Sequence, residues 1–103
     1  MPQKPDWTFL TNHAQVLLCV AQNEQITSRD IAAVVGITER AVQRILDDLE
    51  QEGYIQRFRE GRRNRYHTAL DKPLRHPAQH GQPVRDLLAL LLKQSSPNTP
   101  PSE

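Results

Sequence analysis

The sequence is poor in features that several classes of protein require. Its 103 residues include a single cysteine, Cys19, so no intrachain disulfide can form and no Cys-x-x-Cys zinc motif is present. No stretch reaches the roughly 18 apolar residues of a membrane span, and residues 1–6 lack the apolar core of a signal peptide. We therefore expect a soluble, cytoplasmic chain with one domain and a modest core.

The sequence also lacks the motifs of common active sites. It has no glycine-rich phosphate-binding loop, and its Ser, His and Asp residues show no spacing or glycine elbow typical of nucleophilic catalysis. We predict that the protein is not an enzyme and needs no cofactor. No pattern identifies a small-molecule effector.

Charge is small in total but unevenly distributed. The formal net charge of +1 does not by itself indicate nucleic-acid binding. Eight of the 13 Lys and Arg residues nevertheless lie between Arg29 and Arg65, and all eight are arginine, whose planar fork suits phosphates and guanine edges. Four acids cluster separately, at Asp47, Asp48, Glu50 and Glu52. We interpret them as groups that repel DNA and so orient the domain.

Three helices are predicted in the first half of the chain, each with a threonine suited to the N-cap position. They run from Thr11 or Asn12 to about residues 22–25, from Thr27 over 28–35, and from Thr38 over 38–52. Gly36 permits the left-handed turn between the second and third helices. Apolar residues of the third helix lie on one face, which leaves its long polar side chains on the other.

A hairpin and a further helix are predicted in the second half. Strands 54–59 and 64–69 are joined by Glu60-Gly61-Arg62-Arg63, and a connector over 71–82 leads to a helix over 83–94 that Pro83 begins. Residues 1–10 form an arm, 11–70 the main domain, and 95–103 a disordered Pro/Ser tail. The predicted fold class is mainly α with a small β-hairpin, a winged helix-turn-helix with an added C-terminal helix.

Three segments carry a resemblance to a known family. They are Ile31-Ala32-Ala33-Val34-Val35-Gly36-Ile37-Thr38-Glu39-Arg40-Ala41-Val42, Asp48-Leu49-Glu50-Gln51-Glu52-Gly53-Tyr54-Ile55 and Gly61-Arg62-Arg63-Asn64-Arg65-Tyr66. With them the chain resembles small bacterial winged-helix transcriptional regulators of the broad MarR/ArsR-like group. The resemblance covers most of the chain. It implies that helix 38–52 is the recognition helix and that the hairpin tip, 60–64, touches the minor groove or flanking backbone.

The chain also departs from that group in two ways. MarR-type regulators carry longer dimerisation helices around an effector pocket, and ArsR-type metal sensors carry cysteine pairs on the helix before the recognition helix. This sequence has neither feature. We therefore expect neither a drug-binding pocket nor a thiolate metal site.

Polar residues on the recognition helix and the hairpin are the predicted DNA contacts. Arginine can grip guanine and Gln43 can grip adenine in the major groove, while hairpin arginines reach phosphates or a narrow minor groove. Five arginines lie within the nine hairpin residues 57–65, and the mutual repulsion of their charges favours a polyanionic partner. They are Arg57, Arg59, Arg62, Arg63 and Arg65. The alternatives are a solvated helix face and a charge-protected strand edge. The predicted contacts are Arg29, Thr38, Glu39, Arg40, Gln43, Arg44, Arg59, Arg62, Arg63, Asn64 and Arg65.

The last helix is more apolar than one small domain can bury, which predicts a homodimer with Leu90 or Leu92 exposed in the single chain. A two-fold dimer would place two recognition helices roughly 34 Å apart, about one turn of DNA. The alternative is a helix that covers its own core. The predicted interface is Trp7, Phe9, Val84, Leu87, Leu88, Leu91 and Leu92.

Taken together, these features predict a homodimer that binds a pseudo-palindromic double-stranded DNA site and regulates transcription, with repression by steric blocking favoured. A winged helix that binds an acidic protein partner is one alternative. Another is a metal- or redox-responsive sensor that uses His76 and His80, which are four residues apart, or Cys19.

Overall fold

The computed structural model describes residues 6–92, and within them it has four α-helices and one two-stranded hairpin. The helices are α1 Asn12–Gln22, α2 Ser28–Val35, α3 Glu39–Gln51 and α4 Val84–Leu92, and the strands are β1 Ile55–Glu60 and β2 Arg63–Thr68. The chain divides into two compact units, Met1–Thr68 and Ala69–Glu103. The fold class predicted from the sequence is confirmed. Arm residues 1–5 and the tail 95–103 lie outside the described residues.

Threonine hydroxyls begin all three helices of the first unit. The hydroxyl oxygen of Thr11 accepts a hydrogen bond from the Ala14 amide at 3.1 Å, Thr27 accepts one from Asp30 at 3.1 Å, and Thr38 accepts one from Ala41 at 3.0 Å. Each bond satisfies an amide that the helix itself cannot pair. The three predicted caps are therefore present.

A tight turn joins α2 to α3. Gly36 adopts a left-handed conformation with φ of 84°, and its amide donates to the Ala32 carbonyl at 2.8 Å. The Ile37 amide donates to the same carbonyl at 3.2 Å, which closes the end of α2. A side chain at position 36 would strain this backbone, so the glycine determines how sharply α3 leaves α2.

The core of the first unit is built on α3, which contacts α1, α2 and β1. Val42 and Leu46 are 0% exposed, as are Val16 of α1 and Ile31 of α2. Each buried aliphatic side chain contributes about 1.5–3 kcal/mol to folding through removal from water. With one face of α3 held in this core, its other face is left for solvent or a partner.

The hairpin differs from the prediction in its boundaries and its loop. Ile55 pairs with Thr68 and Glu60 with Arg63, so the loop is the two residues Gly61 and Arg62 instead of the predicted four. Gly61 has a φ of 63°, which a two-residue hairpin loop favours. Pleating places Ile55 on the buried face and Phe58, 48% exposed, on the opposite one.

The second unit contains a closed loop followed by α4. Backbone hydrogen bonds join Val84 to Lys72 at 2.7 Å and Leu74 to Gln82 at 3.0 Å, so the predicted connector 71–82 folds back on itself. Its tip includes a 3₁₀ helix, Pro77–Gln79. Across residues 6–92, no helix has both the length and the apolar character that crossing a membrane requires.

Candidate nucleic-acid interface

The outer face of α3 presents polar side chains near its N-terminus. Glu39, Arg40, Gln43 and Arg44 are exposed, while Val42 on the opposite face is buried. Arg40 and Arg44 are one helical turn apart, and within residues 6–92 neither guanidinium forms an ion pair. Because no carboxylate in the described part of the chain neutralises them, both are available to a ligand there.

Two other residues predicted on this face already have partners. The Thr38 hydroxyl accepts a hydrogen bond from the Ala41 amide and so caps α3. The Nε2 of Gln43 donates to the Ser28 hydroxyl at 2.6 Å, which ties α3 to the first residue of α2. Arg29, the next residue of α2, is exposed. The contribution of Ser28 was not predicted, because a hydroxyl at a helix start is ordinarily explained by capping alone.

The hairpin tip, which is the wing of this fold, carries free cations. Arg62 and Arg63 are exposed and, within residues 6–92, form no ion pair. The Nε of Arg59 donates to the Gly61 carbonyl at 3.2 Å, which supports the loop and leaves the terminal nitrogens of Arg59 available. Asn64 is half-buried.

The tip faces the beginning of α2 across a small cleft of about 180 Å³. Gln25, Thr27 and Ser28 line one side, and Arg62, Arg63 and Asn64 line the other. The cleft is too small for a drug-sized molecule. Its location brings the positive end of the α2 dipole and the wing arginines to the same part of the surface.

Arg57 differs from the other wing arginines, because its side chain turns inward and is 22% exposed. Its Nη2 donates to Asp47 Oδ1 at 2.6 Å and to Glu50 Oε1 at 2.7 Å, and its Nε donates to Glu50 Oε1 at 3.0 Å. Partial burial alone would lower the pKa of Arg57, but the hydrogen bonds and charges of these two acids raise it. Arg57 is one of the five wing cations counted in the sequence, but its charge is paired with two acids of α3.

Arg65 is also paired, although it remains 45% exposed. Its Nε lies 2.8 Å from Glu24 Oε1, and its Nη1 lies 3.0 Å from Glu60 Oε2. The wing therefore has fewer free charges than its sequence suggests. Arg65 stays a predicted DNA contact that would have to share its charge with two acids.

The acidic cluster of α3 has structural partners that the sequence did not reveal. Asp47 and Glu50 bind Arg57, and Asp48 Oδ2 lies 2.8 Å from His13 Nε2 on α1. These contacts give Asp47, Asp48 and Glu50 a structural role in addition to the predicted one, and repulsion of DNA by the acidic cluster stays a prediction. A detectable sign was the alternation of β1, which places Arg57 on the same pleat face as buried Ile55.

The residues of the alternative sensor hypothesis do not form a metal site in the described part of the chain. No group of three or more His, Cys, Asp or Glu side chains that could hold a metal occurs within residues 6–92. His76 Nδ1 instead accepts a hydrogen bond of 3.0 Å from the Ala78 amide. Cys19 is 8% exposed, and burial raises the pKa of its thiol, which makes it less reactive.

The predicted dimer residues fall into two groups. Val84 and Leu88 are 2% and 3% exposed, so they already fill the interior of the single chain and are not available to a second copy. Leu87, Leu91 and Leu92 are half-buried. Leu90, which the predicted interface omitted, is 62% exposed.

The aromatic side chains before α1 are strongly exposed. Trp7 and Phe9 are 69% and 90% exposed, and their rings meet edge to face with centroids 5.1 Å apart. Such a pair in water is typical of a surface that a partner covers.

Comparison with known families agrees with this geometry. The segment 11–56 matches the family model described as winged helix-turn-helix DNA-binding. The matched segment contains α1, α2, α3 and the start of β1. No curated protein matches the sequence. The resemblance to winged helix-turn-helix regulators is thereby confirmed for this domain.

Solved structures show the same fold. A single-residue mutant of S. aureus MepR bound to an oligodeoxyribonucleotide is 25% identical over 57% of this chain and 46% of that chain, with a TM-score of 0.50. MepR, a transcription regulator of the Staphylococcus aureus multidrug efflux pump MepA, is 17% identical, with a TM-score of 0.54. The similarity covers 84% of this chain and 60% of that chain. This chain thus spans about half the length of these MepR chains.

A shorter relative is covered more completely. The homodimeric winged helix-turn-helix DNA-binding domain Mb0332 from Mycobacterium bovis, a possible ArsR-family transcriptional regulator, is 21% identical. The similarity covers 91% of this chain and 76% of that chain, with a TM-score of 0.55. At this level of identity the likeness concerns the fold.

Proposed function

We propose that the protein is a sequence-specific double-stranded DNA-binding regulator of transcription that acts in the cytoplasm and is not an enzyme. The observation that supports this most is the placement of four arginines on the first unit that form no ion pair within residues 6–92. Arg40 and Arg44 lie at the exposed start of α3, and Arg62 and Arg63 lie at the wing tip. Uncompensated arginine at both positions suits a polyanion with readable base edges.

In the proposed complex α3 enters the major groove. Arg40 and Arg44 can each donate two hydrogen bonds to the O6 and N7 of guanine, which distinguishes guanine from the other bases. Gln43, held by Ser28, can bond an adenine beside them. Base contacts of this kind determine the sequence that is bound.

The wing supplies affinity in the same complex. Arg62 and Arg63 reach phosphates or a narrow minor groove, where the negative potential is strongest. Arg29, at the start of α2, can join them on the backbone. These contacts hold the domain in register without reading bases, and occupation of the site would repress transcription by steric blocking.

If the proposal is correct, duplex affinity depends steeply on salt and the wing contributes to that dependence. Each phosphate neutralised should lower log affinity by about 0.9 per log unit of salt. Arg62→Ala combined with Arg63→Ala should therefore flatten the slope by about 1.8 for each chain bound. Fluorescence anisotropy of a labelled duplex at several salt concentrations measures both slopes.

The matched control is Arg85→Ala, which removes a cation of the second unit that already pairs with Asp71 at 2.7 Å. The slope of log affinity against log salt for Arg85→Ala should equal that of the wild type. The proposal is wrong if the wild-type chain shows no duplex binding at low salt. Binding of an acidic protein under the same conditions would instead support the protein-interaction alternative.

We further propose that the active form is a homodimer, since Mb0332, which shares the fold, is a homodimer. The exposed apolar side chains that suit a second copy are Trp7, Phe9 and Leu90, with half-buried Leu87, Leu91 and Leu92 beside the last. A two-fold axis would place two α3 helices in successive major grooves of a pseudo-palindromic site.

Light scattering should give a mass of twice 11.8 kDa for the wild-type protein. Leu90→Glu should reduce it to the mass of one chain, because a buried unpaired carboxylate at an interface is strongly unfavourable. Val34→Glu is the control, since Val34 is 70% exposed on α2 and outside the proposed interface. A monomeric wild type, or equal effects of both substitutions, contradicts the proposal.

A further inference from the structure

The guanidinium and the backbone amide of Arg57 join the wing to the recognition helix. Its guanidinium bonds Asp47 and Glu50 on α3, and its backbone amide lies 3.4 Å from Glu50 Oε2. The two acids are one turn apart on α3, so the planar fork of one arginine engages both. A lysine could make the contacts that Nη2 makes with both acids, but it would lose the Nε bond to Glu50 Oε1 and the planar geometry of the guanidinium.

The exposed stripe of α3 explains why this contact matters. Arg40 and Arg44 occupy its N-terminal half, and Asp47 follows Arg44 by three residues on the same side of the helix. The anionic half of the stripe is where β1 is attached. The positive charge of Arg57 therefore offsets one of the two negative charges beside the proposed DNA-binding face, and its contacts attach the wing there.

The other strand is attached at the opposite edge of the hairpin. The Tyr66 amide donates to the Glu24 carbonyl at 2.8 Å, and the side chain of Arg65 bonds the Glu24 carboxylate. Tyr66 is the direct cross-strand partner of Arg57. The base of the wing is thus held on both sides, whereas its tip is held by its own loop.

The position of the wing tip depends strongly on the angle of the hairpin at Arg57. Arg62 is five residues beyond Arg57, a distance of about 17 Å along an extended strand. A tilt of about 10° at Arg57 would move the tip by about 3 Å, the full length of a hydrogen bond. A wing released at Arg57 must therefore be brought back into position when DNA binds, which lowers affinity although the same phosphates are contacted in the complex.

We propose that Arg57 is a positioning residue that sets the angle of the wing to the recognition helix through Asp47 and Glu50 without touching DNA. This inference rests on the proposed DNA-binding function. It divides the wing arginines into those that hold the hairpin and those that contact the duplex. A count of wing cations would overestimate the number of phosphates bound.

Affinity and its salt dependence distinguish a residue that positions the wing from one that contacts DNA. The probe is a duplex selected from random DNA with the wild-type chain, and its affinity is measured as a function of salt. Arg57→Gln should weaken binding about tenfold with an unchanged salt slope. Asp47→Asn combined with Glu50→Gln should also weaken it about tenfold, although loss of two negative charges near DNA would otherwise strengthen it.

The triple variant should bind as the double variant does, because all three substitutions break one unit. Arg62→Ala is the contact control, and its slope should fall by about 0.9. The inference is overturned if Arg57→Gln flattens the slope by a similar amount, or if the acid double variant binds more tightly than the wild type.

Arg57→Lys keeps the charge and protects the test against a glutamine variant that does not fold. It should bind with an affinity between those of the wild type and Arg57→Gln, at the wild-type slope. An affinity equal to that of the wild type would show that charge alone is sufficient and would overturn the positioning role.

Amide hydrogen exchange of the DNA-free protein tests the attachment independently of DNA binding. Residues 55–68 should exchange faster in Arg57→Gln than in the wild type, and at the wild-type rate in Arg62→Ala. Unchanged protection of the hairpin in Arg57→Gln would overturn the inference. Absence of duplex binding by the wild type would instead refute the proposed function and leave this measurement valid.

Discussion

Replacing Arg40 and Arg44 together with alanine is expected to weaken binding to the preferred duplex by about a hundredfold or more. A bidentate arginine–guanine contact contributes about 1–3 kcal/mol of discrimination, and two such contacts are lost. Both side chains are exposed and, within residues 6–92, form no ion pair, so the fold loses no contact with them. Alanine also favours helix. Competition between the selected duplex and random DNA measures the effect.

The matched comparison is the wing double variant, Arg62→Ala with Arg63→Ala, which removes the same charge. It should weaken selected and random duplexes by similar factors, because phosphate contacts carry no sequence information. The Arg40 and Arg44 variant should instead reduce the ratio between them. If both variants change that ratio equally, α3 does not read bases.

Leu46→Ala is expected to lower the free energy of unfolding by about 2–5 kcal/mol. Leu46 is 0% exposed in the middle of α3, where it fills the core against the neighbouring helices. Truncation leaves a cavity that rigid helices close only in part. Because a small domain is stable by only about 5–15 kcal/mol, a large fraction of the margin is lost. Urea unfolding followed by circular dichroism gives the difference directly.

Leu70→Ala is the control for this substitution. Leu70 is 45% exposed, so the same truncation should cost less than about 1 kcal/mol. A Leu46→Ala variant no less stable than Leu70→Ala would show that α3 does not depend on its buried face. In that case the rigid placement of Arg40 and Arg44 would need another explanation.

The helices could be predicted because their determinants are local. Thr11, Thr27 and Thr38 each cap an amide three residues ahead, so a cap and the helix it starts lie in one short stretch of sequence. Gly36 likewise marks a turn through its own backbone conformation. The exposed face of α3 follows from helical periodicity, which places Arg40 and Arg44 opposite the buried residues.

The wing could be predicted in kind but not in detail. Each strand boundary moved by one residue while the pairing of Arg59 with Asn64 stayed as the predicted hairpin implies, since the aromatic and arginine residues of 54–69 do not alternate cleanly. Once the register is known, Arg57 lies inward with Ile55, and Phe58 lies outward. A charge count treated all five wing arginines alike, but contacts with Asp47, Glu50 and Glu24 divide them.

The C-terminal helix shows the same distinction. Its apolar composition was evident, yet a periodic pattern does not state which leucines the chain itself covers. Val84 and Leu88 are buried, and Leu90 is exposed. That outcome depends on where residues 70–74 pass beside the start of the helix, a contact made by backbone hydrogen bonds over several residues of loop.

The sequence by itself determined the three threonine-capped helices, the glycine turn between α2 and α3, and the arginines at the start of α3. Each of these depends on neighbours within about one helical turn. Only the tertiary structure decided which arginines are free, because the partners of Arg57 are seven and ten residues away and belong to another element. Ion pairs between elements depend on register and packing, and neither quantity is encoded in local spacing.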